Sequence, residues 1–426
     1  SLSGPTIRYG GSGSSGQIYI TSASPSISGS TISNSGGAGV YIASGSPSIS
    51  GSSFVFNSAE GLRSAAALTN VSGNSFTSNG SAAIKIPATI GSNVINNTYS
   101  GNQINGMLLS GHISSGVNVT WPASNSPYVI EAKAASPNSL NVPSSSTLTI
   151  EPATVIKFKA ELTGGQHTDK DRSLKISGVL NATNVVFTSF FDDSSGGDTN
   201  NDGSSTAPLP GDWNRIYFNG GGGNLSSCTI SWGGNSEVSG MIYIEGSTVA
   251  TVIDATTIAH SQNWGVYVYS GAAPTITATA FSYNGQGGLL SKLAVSNLSS
   301  NSFTDNTGPA VKIPAGIGSD VSNNSYSGNQ INGMFLSGHV PSGSNIIWPA
   351  SNSPYVIEAK AASPNFLKIP ATSSLTVSAG TVVKFKAELA GATHTDKERG
   401  LYISGRLDAT GAVFTSFFDD AYGGET

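Results

Sequence analysis

The segment PSISGSTISNSGGAGVYIASGSPSISGSSFVFN, residues 25–57, contains more than one turn of a short repeat. Three apolar positions in it return every 22 or 23 residues further along the chain. The first series is Ile27, Ile49, Val71 and Val94; the second is Ile32, Phe54, Phe76 and Tyr99; the third is Val40, Leu62, Ile84 and Met107. Short alternating runs such as Gly39–Ile42 are separated by Gly, Ser and Asn, a pattern typical of strands and turns and not of helices.

Apolar positions that recur in parallel describe one coil of a solenoid. We therefore predict an all-β parallel β-helix with coils of about 22 residues, each made of about three short strands. Coils would stack about 4.8 Å apart, and equivalent side chains would lie on one another inside. About 19 coils at this spacing would make a rod on the order of 90 Å long.

Asparagines also recur at one phase of the coil. They are Asn34, Asn57, Asn79 and Asn102, followed in the second half of the chain by Asn284, Asn306 and Asn329. Asn tolerates the left-handed backbone of a tight turn, and its amide can bond to the next coil. The sequence therefore predicts an asparagine ladder at a turn.

A longer repeat is superimposed on the short one. Residues 74–199 reappear without a gap as residues 301–426, a shift of 227 residues. A period of this length without insertions indicates that a whole structural unit was duplicated. We predict two β-helix units, 1–227 and 228–426, in one continuous solenoid. The second copy is incomplete and both ends interrupt the pattern, so we expect a piece of a longer array.

Composition narrows the class of protein. Charged residues make up 10% of the chain, against about 25% in an average soluble domain. The net charge of −5 and the lack of a basic cluster argue against a nucleic-acid partner. One cysteine precludes an internal disulfide, and no apolar run is long enough to span a membrane. A polar, weakly charged chain of this kind predicts an extracellular or cell-surface location.

From about Val117 the strands lengthen and polar loops interrupt them. The order TW, PYVI, STLTIEPATVIKF, FTSFFDD and GGDTNNDG resembles the right-handed β-helix repeat regions of large bacterial extracellular and cell-surface proteins. The 22-residue coils are similar to the pectin-lyase-like β-helix group. The resemblance implies a right-handed coil and an extracellular setting. It does not imply one activity, because this scaffold carries both enzymes and inert spacers.

The loop from Asp192 to Asp212 carries the strongest chemical signal. Its acidic and amide side chains are Asp192, Asp193, Asp198, Asn200, Asp202 and Asp212, with Gly203 at a sharp turn. Alternating oxygen ligands suit calcium, which accepts six to eight oxygens in a flexible geometry. A hydrogen-bonded, Asp-rich turn is the alternative interpretation. In the second copy Asp419, Asp420 and Glu425 occupy the first three acidic positions.

Other recurring polar and aromatic residues have a simpler interpretation. The set His167, Asp169 and Asp171 returns as His394, Asp396 and Glu398. These residues could form a metal site or an acid–base group. The alternative is a solvated loop in which nearby cations neutralise the acids. Trp121 and Tyr128, with Trp348 and Tyr355, indicate packing more readily than sugar stacking. Glu131 with Lys133, and Glu358 with Lys360, indicate surface charges that pair between coils.

These observations predict a non-catalytic structural or adhesive rod, of the adhesin or filament kind, with calcium-stabilised loops. Uncapped end coils would allow self-association, head-to-tail or lateral. The alternative is a carbohydrate-binding or polysaccharide-degrading β-helix with surface glycans as partners. Catalysis of that kind needs converging carboxylates, whereas the coils before Ser100 contain only Glu60.

Overall fold

We analysed a computed structural model of the chain. It describes residues 1–66, 68, 70–89, 94–131, 139–235, 240–293, 295, 297–316, 321–358, 366–391, 393–395 and 398–426. All regular secondary structure in these residues is β-strand, and most strands contain only three to five residues.

The strands follow one another closely along the chain. From Leu2 to Ser189 they are β1 (Leu2–Ser3), β2 (Thr6–Arg8), β3 (Ser12–Ile20), β4 (Ser26–Ser28), β5 (Thr31–Ser33), β6 (Gly36–Ile42), β7 (Ser48–Ser50), β8 (Ser53–Val55), β9 (Leu62–Ser64), β10 (Asn70–Ser72), β11 (Ser75–Thr77), β12 (Ala82–Pro87), β13 (Val94–Ile95), β14 (Thr98–Ser100), β15 (Ile104–Ser110), β16 (Asn118–Trp121), β17 (Tyr128–Ile130), β18 (Ser139–Val142), β19 (Thr147–Ile150), β20 (Val155–Phe158), β21 (Glu161–Thr163), β22 (Gln166–Thr168), β23 (Ser173–Ile176), β24 (Val179–Thr183) and β25 (Val186–Ser189). From Arg215 onward they are β26 (Arg215–Asn219), β27 (Gly222–Ser226), β28 (Thr229–Ser231), β29 (Gly240–Glu245), β30 (Thr251–Asp254), β31 (Thr257–Ala259), β32 (Trp264–Val268), β33 (Thr275–Thr277), β34 (Ala280–Ser282), β35 (Gly287–Ser291), β36 (Asn297–Ser299), β37 (Ser302–Thr304), β38 (Pro309–Pro314), β39 (Val321–Ser322), β40 (Ser325–Ser327), β41 (Ile331–Ser337), β42 (Asn345–Trp348), β43 (Tyr355–Ile357), β44 (Phe366–Ile369), β45 (Ser374–Val377), β46 (Val382–Phe385), β47 (Glu388–Ala390), β48 (Thr393–Thr395), β49 (Gly400–Ile403), β50 (Arg406–Asp408) and β51 (Val413–Ser416).

By packing, the chain forms two compact units. Unit 1 comprises Ser1–Tyr217 and Ser227–Asn235, and unit 2 comprises Phe218–Ser226 and Ser236–Thr426. Packing and sequence repetition define different boundaries, so the division predicted after residue 227 stays a prediction.

In unit 1, strands one coil apart pair side by side. The parallel rows are β1-β4-β7-β10-β13, β2-β5-β8-β11-β14, β3-β6-β9-β12-β15-β17-β20-β25-β28, β16-β19-β24 and β18-β23. A short antiparallel hairpin, β21–β22, stands apart from these rows and lies in a polar segment after Val117. Every second residue of a strand points inward, which is why three-residue strands with one central apolar residue suffice.

Unit 2 repeats this arrangement. Its parallel rows are β27-β30-β33-β36-β39, β31-β34-β37-β40, β29-β32-β35-β38-β41-β43-β46-β51, β42-β45-β50 and β44-β49, and β47–β48 forms the equivalent hairpin. The predicted parallel β-helix is confirmed in each unit by these rows.

The register also confirms the three apolar series. Ile27 pairs with Ile49 and Ile49 with Val71, and the second and third series pair in the same way. Phe54 and Phe76 are fully buried, with their rings stacked between coils. The predicted interior column therefore exists within the unit.

The predicted asparagine ladder is present, except that Asn34 does not belong to it. Asn79 Nδ2 donates to Asn102 Oδ1 (2.7 Å), and Asn57 Nδ2 donates to Asn79 Oδ1 (2.8 Å). Asn34 is not a member, because Ser35 is the residue whose N–H donates to Asn57 Oδ1. The left-handed conformation belongs to the residue before each buried amide, such as Phe56 (φ 54°). The predicted amide bonds between coils are confirmed. The left-handed backbone is found at Asn34 (φ 53°) but not at Asn57, Asn79 or Asn102.

A second ladder escaped the sequence reasoning. Asn74 Nδ2 donates to Asn97 Oδ1, and Asn301 Nδ2 donates to Asn324 Oδ1, each at a distance of 3.0 Å. Serines and threonines hold this phase in the coils before Asn74 and Asn301, so no run of asparagines marks it in the sequence.

The paired Trp and Tyr residues pack, as the simpler interpretation held. Trp121 and Tyr128 are both fully buried and their rings stack. Trp121 Nε1 donates to Ala88 O (2.9 Å), and the Tyr128 hydroxyl donates to Pro122 O (2.8 Å). These rings therefore serve the interior of the coil and are closed to a ligand.

Candidate metal site

The acidic loop begins where β25 leaves the parallel row of unit 1. The number of residues per coil increases along this row. The paired positions show the increase, since Ile156 pairs with Phe187 and Phe187 pairs with Ile230. The extra residues cannot all join the ladder, and the polar segment after Ser189 leaves the coil as a loop.

Three carboxylates converge in this loop. One oxygen from each of Asp193, Asp198 and Asp202 lies within 4.8 Å of the others. The loop is shaped for this by Asp198, whose carboxylate accepts the N–H groups of Asp202 and Gly203 (3.0 Å each). Gly203 has a φ of 74°, which a glycine adopts without strain.

The electrostatics of the cluster differ from one carboxylate to the next. Burial, reinforced by the neighbouring Asp198 charge, raises the pKa of Asp193. For Asp202 burial acts in the same direction, but hydrogen bonds from Thr206, Ser204 and Ser205 outweigh it and lower the pKa. Asp202 is thus satisfied by the loop itself, whereas the Asp193 carboxylate is destabilised by burial and by Asp198 and only partly compensated by Lys157.

Two buried side-chain oxygens in the loop have no hydrogen-bond donor. They are Asp193 Oδ1 and Asn200 Oδ1, both shielded from solvent. Asn200 Nδ2 donates to Asp202 Oδ2 (2.8 Å), which places the Asn200 side chain beside the cluster. Oxygen donors of this kind fit calcium, while the internal hydrogen bonds of Asp198 and Asp202 also fit an Asp-rich turn.

Asp192 and Asp212, also predicted as ligands, have other partners. Asp192 accepts from the Thr188 hydroxyl (2.6 Å) and the Ser194 N–H (3.1 Å). Asp212 is fully buried and accepts from the Ser189 hydroxyl (2.7 Å). These two carboxylates fasten the loop at its start and at its end.

The His167 group separates in the folded chain. His167 Nδ1 lies 2.6 Å from Asp212 Oδ1, and its ring stacks on Phe191. Asp169 instead pairs with Arg172 (2.8 Å), and Asp171 accepts from Asn235 Nδ2 (3.1 Å). The hairpin is thereby attached to the end of the acidic loop. Sequence reasoning missed this pair because 45 residues separate its members.

The comparisons with known proteins agree with the coil geometry. The family described as "Right handed beta helix region" matches residues 16–126 and 214–357, more than half of the chain. The chain belongs to this right-handed β-helix family. No curated protein and no solved structure matches it. In the part of this β-helix that the structure describes, no helix is long and apolar enough to cross a membrane.

The second copy of the β-helix loop begins as the first copy does. Asp419 accepts from the Thr415 hydroxyl (2.5 Å) and the Ala421 N–H (3.2 Å), as Asp192 does in unit 1. Asp420 and Glu425 are exposed. Asp396, which belongs to the second histidine group, lies outside the described residues, as do Lys133 and Lys360 of the predicted charge pairs.

A buried lysine completes the β-helix site and was missed in the sequence. Lys157 on β20 is fully buried, and its Nζ donates to Gly197 O (2.8 Å) inside the acidic loop. Burial lowers the pKa of Lys157 to about 8, and the charges of Asp192, Asp193 and Asp198 oppose the shift. Lys384 makes the equivalent bond to Gly424 O (2.7 Å). Its recurrence at the same phase was the signal that could have identified it.

Proposed function

We propose that this β-helix is a non-catalytic extracellular scaffold, a structural or adhesive rod that assembles by stacking coil on coil. Calcium in the acidic loop would hold the longest excursion of unit 1 against its coil. The repeated coil is evidence for a scaffold role, because side chains at equivalent positions pack in the same way in both units.

The observation that carries this proposal is the repetition of one interior. In unit 2 Phe281, Phe303 and Tyr326 stack as Phe54, Phe76 and Tyr99 do in unit 1. Glu60, the single carboxylate of the coils before Ser100, is itself buried. Repetition of a stacked interior favours length and rigidity over a single catalytic centre.

Strand edges are templates for pairing, and a head-to-tail contact that does not close produces a fibre. Stacking of one chain on another would extend the parallel rows that the coils already form within each unit.

Calcium fits the loop of unit 1 through the oxygens of Asp193, Asp198, Asn200 and Asp202. It would neutralise the mutual repulsion of the three carboxylates and order a loop whose closure costs entropy. Asp192 and Asp212 would support the site from outside.

The test is assembly of the purified chain. Sedimentation velocity and negative-stain microscopy at rising concentration, with calcium, should show filaments that lengthen with concentration.

Two results would contradict the proposal. One is a monodisperse short particle at every concentration. The other is depolymerisation of a polysaccharide by the purified chain, which would make the scaffold an enzyme.

A further inference from the structure

The first coils of unit 1 contain two turns at which the backbone is left-handed. The first turn follows the row that begins with β1, and its positive φ angles belong to Gly4, Gly29, Gly51, Gly73 and Asn96. The second turn follows the row that begins with β2, and its positive φ angles belong to Tyr9, Asn34, Phe56, Ser78 and Gly101. Glycine adopts this conformation without strain, whereas other residues are disfavoured in it by about 1–2 kcal/mol. The two turns therefore use one backbone conformation with different side chains.

The aromatic residues of the second turn are poorly explained by folding. Tyr9 (φ 62°) is 76% exposed and Phe56 (φ 54°) is 61% exposed, so neither ring belongs to the core. Positive φ is rare for bulky residues, and where it persists it often marks a functional position. The first turn shows that glycine suffices for the geometry. The two rings therefore point to a contact outside the unit.

Tyr9, Asn34, Phe56 and Ser78 lie in successive coils and form what we call the aromatic ridge. The residues immediately before them pair from coil to coil in parallel register. Because adjacent coils are about 4.8 Å apart, the backbones of Tyr9 and Phe56 are separated by about 9.6 Å. Asn34 occupies the coil between them. Large rings and short side chains thus alternate along the ridge.

The equivalent turn of unit 2 shows how rings in adjacent coils arrange themselves. His260 (φ 56°) and Tyr283 (φ 54°) stack with their centroids 5.2 Å apart and their planes 5° from parallel. At this turn one coil therefore accommodates the thickness of one ring. The two rings of unit 1 are two coils apart, so the space between them is sufficient for one further ring.

We propose that the aromatic ridge is a lateral contact between two copies of this chain, in which the rings of one copy insert between the rings of the other. In an antiparallel pair the partner's Phe56 would lie over Asn34, and the partner's Tyr9 would lie over Ser78. The four rings would then alternate between the copies along one column. Such a contact is self-complementary, as a two-fold interface requires. It goes beyond the stacking of coils proposed above and does not depend on it.

Charge favours the antiparallel orientation. The four ridge residues are uncharged, but the exposed Arg8 precedes Tyr9 on β2. A parallel pair offset by one coil would bring the two Arg8 side chains to about 5 Å from each other. The antiparallel pair places them about 14 Å apart, which exceeds the Debye length of about 8 Å at physiological ionic strength. Like charges therefore do not oppose the antiparallel contact.

The size of the ridge predicts a weak dimer. An aromatic side chain buries about 150–250 Å², so four rings would contribute about 600–1,000 Å². This area is at the low end for a specific protein interface, where association is transient and concentration-dependent. A small molecule is a poorer occupant, because ligand sites are concave and these rings project from a turn.

Sedimentation equilibrium of the full chain in EDTA, at concentrations below those that form filaments, measures the contact. The parent should show a monomer–dimer equilibrium. The double variant Tyr9→Asn/Phe56→Asn, which introduces a residue that tolerates positive φ, should weaken dimerisation about 30-fold or more. Tyr283→Asn is the matched control, because Tyr283 has the same φ as Phe56 and is 53% exposed at the equivalent turn. It should dimerise as the parent does.

A second variant separates insertion of rings from simple adhesion. Asn34→Phe places the chain's own ring in the space meant for the partner's Phe56, so this variant should remain monomeric. On a surface that merely adheres to apolar groups, glycans or lipids, a third ring would strengthen association. Thermal melting verifies that each variant is folded.

Three results would overturn the proposal: a parent that stays monomeric, a double asparagine variant that dimerises as the parent does, or tighter association of Asn34→Phe. The two proposals can fail separately. Filaments that are unaffected by Tyr9→Asn/Phe56→Asn, without a ridge-dependent dimer, would leave only the scaffold. Closed dimers that this variant abolishes, without filaments at any concentration, would leave only the ridge.

Discussion

The ring of Phe76 stacks on that of Phe54, with centroids 4.6 Å apart and planes 10° from parallel. Phe303 stacks on Phe281 at the same distance and at 6°. The separation is close to the spacing of adjacent strands, about 4.8 Å. Each ring therefore fills its own coil and contacts the next, so the column is cooperative along the stack.

Removing one ring should destabilise unit 1. We expect Phe76→Ala to lower the free energy of unfolding by about 3–5 kcal/mol, because the cavity lies between two occupied coils. Phe56→Asn is the matched control, since Phe56 is 61% exposed and has a positive φ. Urea denaturation should show no loss for the control. A Phe76→Ala midpoint equal to that of the parent would contradict the column.

The asparagine ladder should be as sensitive as the rings. Asn79 accepts from Asn57 Nδ2 and donates to Phe54 O and Asn102 Oδ1. Asn79→Ala should cost about 1–3 kcal/mol for each buried group that it leaves unpaired. Asn181→Ala, at an exposed position of β24, should change the urea midpoint little. Equal midpoints for the two variants would show that the ladder amides do not stabilise the coil.

Calcium should bind in the acidic loop of unit 1. At a calcium concentration one hundred times the Kd, the free energy of unfolding should rise by about 2.7 kcal/mol. Asp198→Asn should abolish the gain, and Asp305→Asn, at an exposed turn of unit 2, should keep it. Calorimetric titration and thermal melting measure both. If calcium leaves the parent chain unchanged, the loop is the hydrogen-bonded Asp-rich turn.

Alkaline pH should reduce the free-energy cost of burying the Lys157 side chain. Burial lowers the pKa of Lys157 from 10.5 to about 8, so the unfolded chain binds more protons than the folded chain between these values. The contribution of Lys157 to stability must therefore increase as pH rises from about 8 to 10.5. Lys157→Met removes this contribution, and urea midpoints of the two proteins across this range should diverge. Parallel curves would contradict a depressed lysine.

The sequence alone sufficed for the coil. Apolar residues at a fixed 22-residue interval require equivalent side chains to stack, and the register of Phe54, Phe76 and Tyr99 is the one predicted. It also identified the acidic loop, because alternating Asp and Asn residues lie within a few positions of each other. Three of the predicted ligands, Asp193, Asp198 and Asp202, do converge.

What the sequence could not show depends on contacts between distant coils. Asp212 turns to His167 and away from the acidic cluster, and Lys157 enters the acidic loop across 40 residues. The surface ion pairs Lys85–Glu131 and Lys312–Glu358 each join residues 46 positions apart. The periodicity was enough to predict the interior, because equivalent apolar side chains stack in the same way at every coil. The outer surface was decided only by the tertiary structure, since coils of unequal length set which polar side chains meet there.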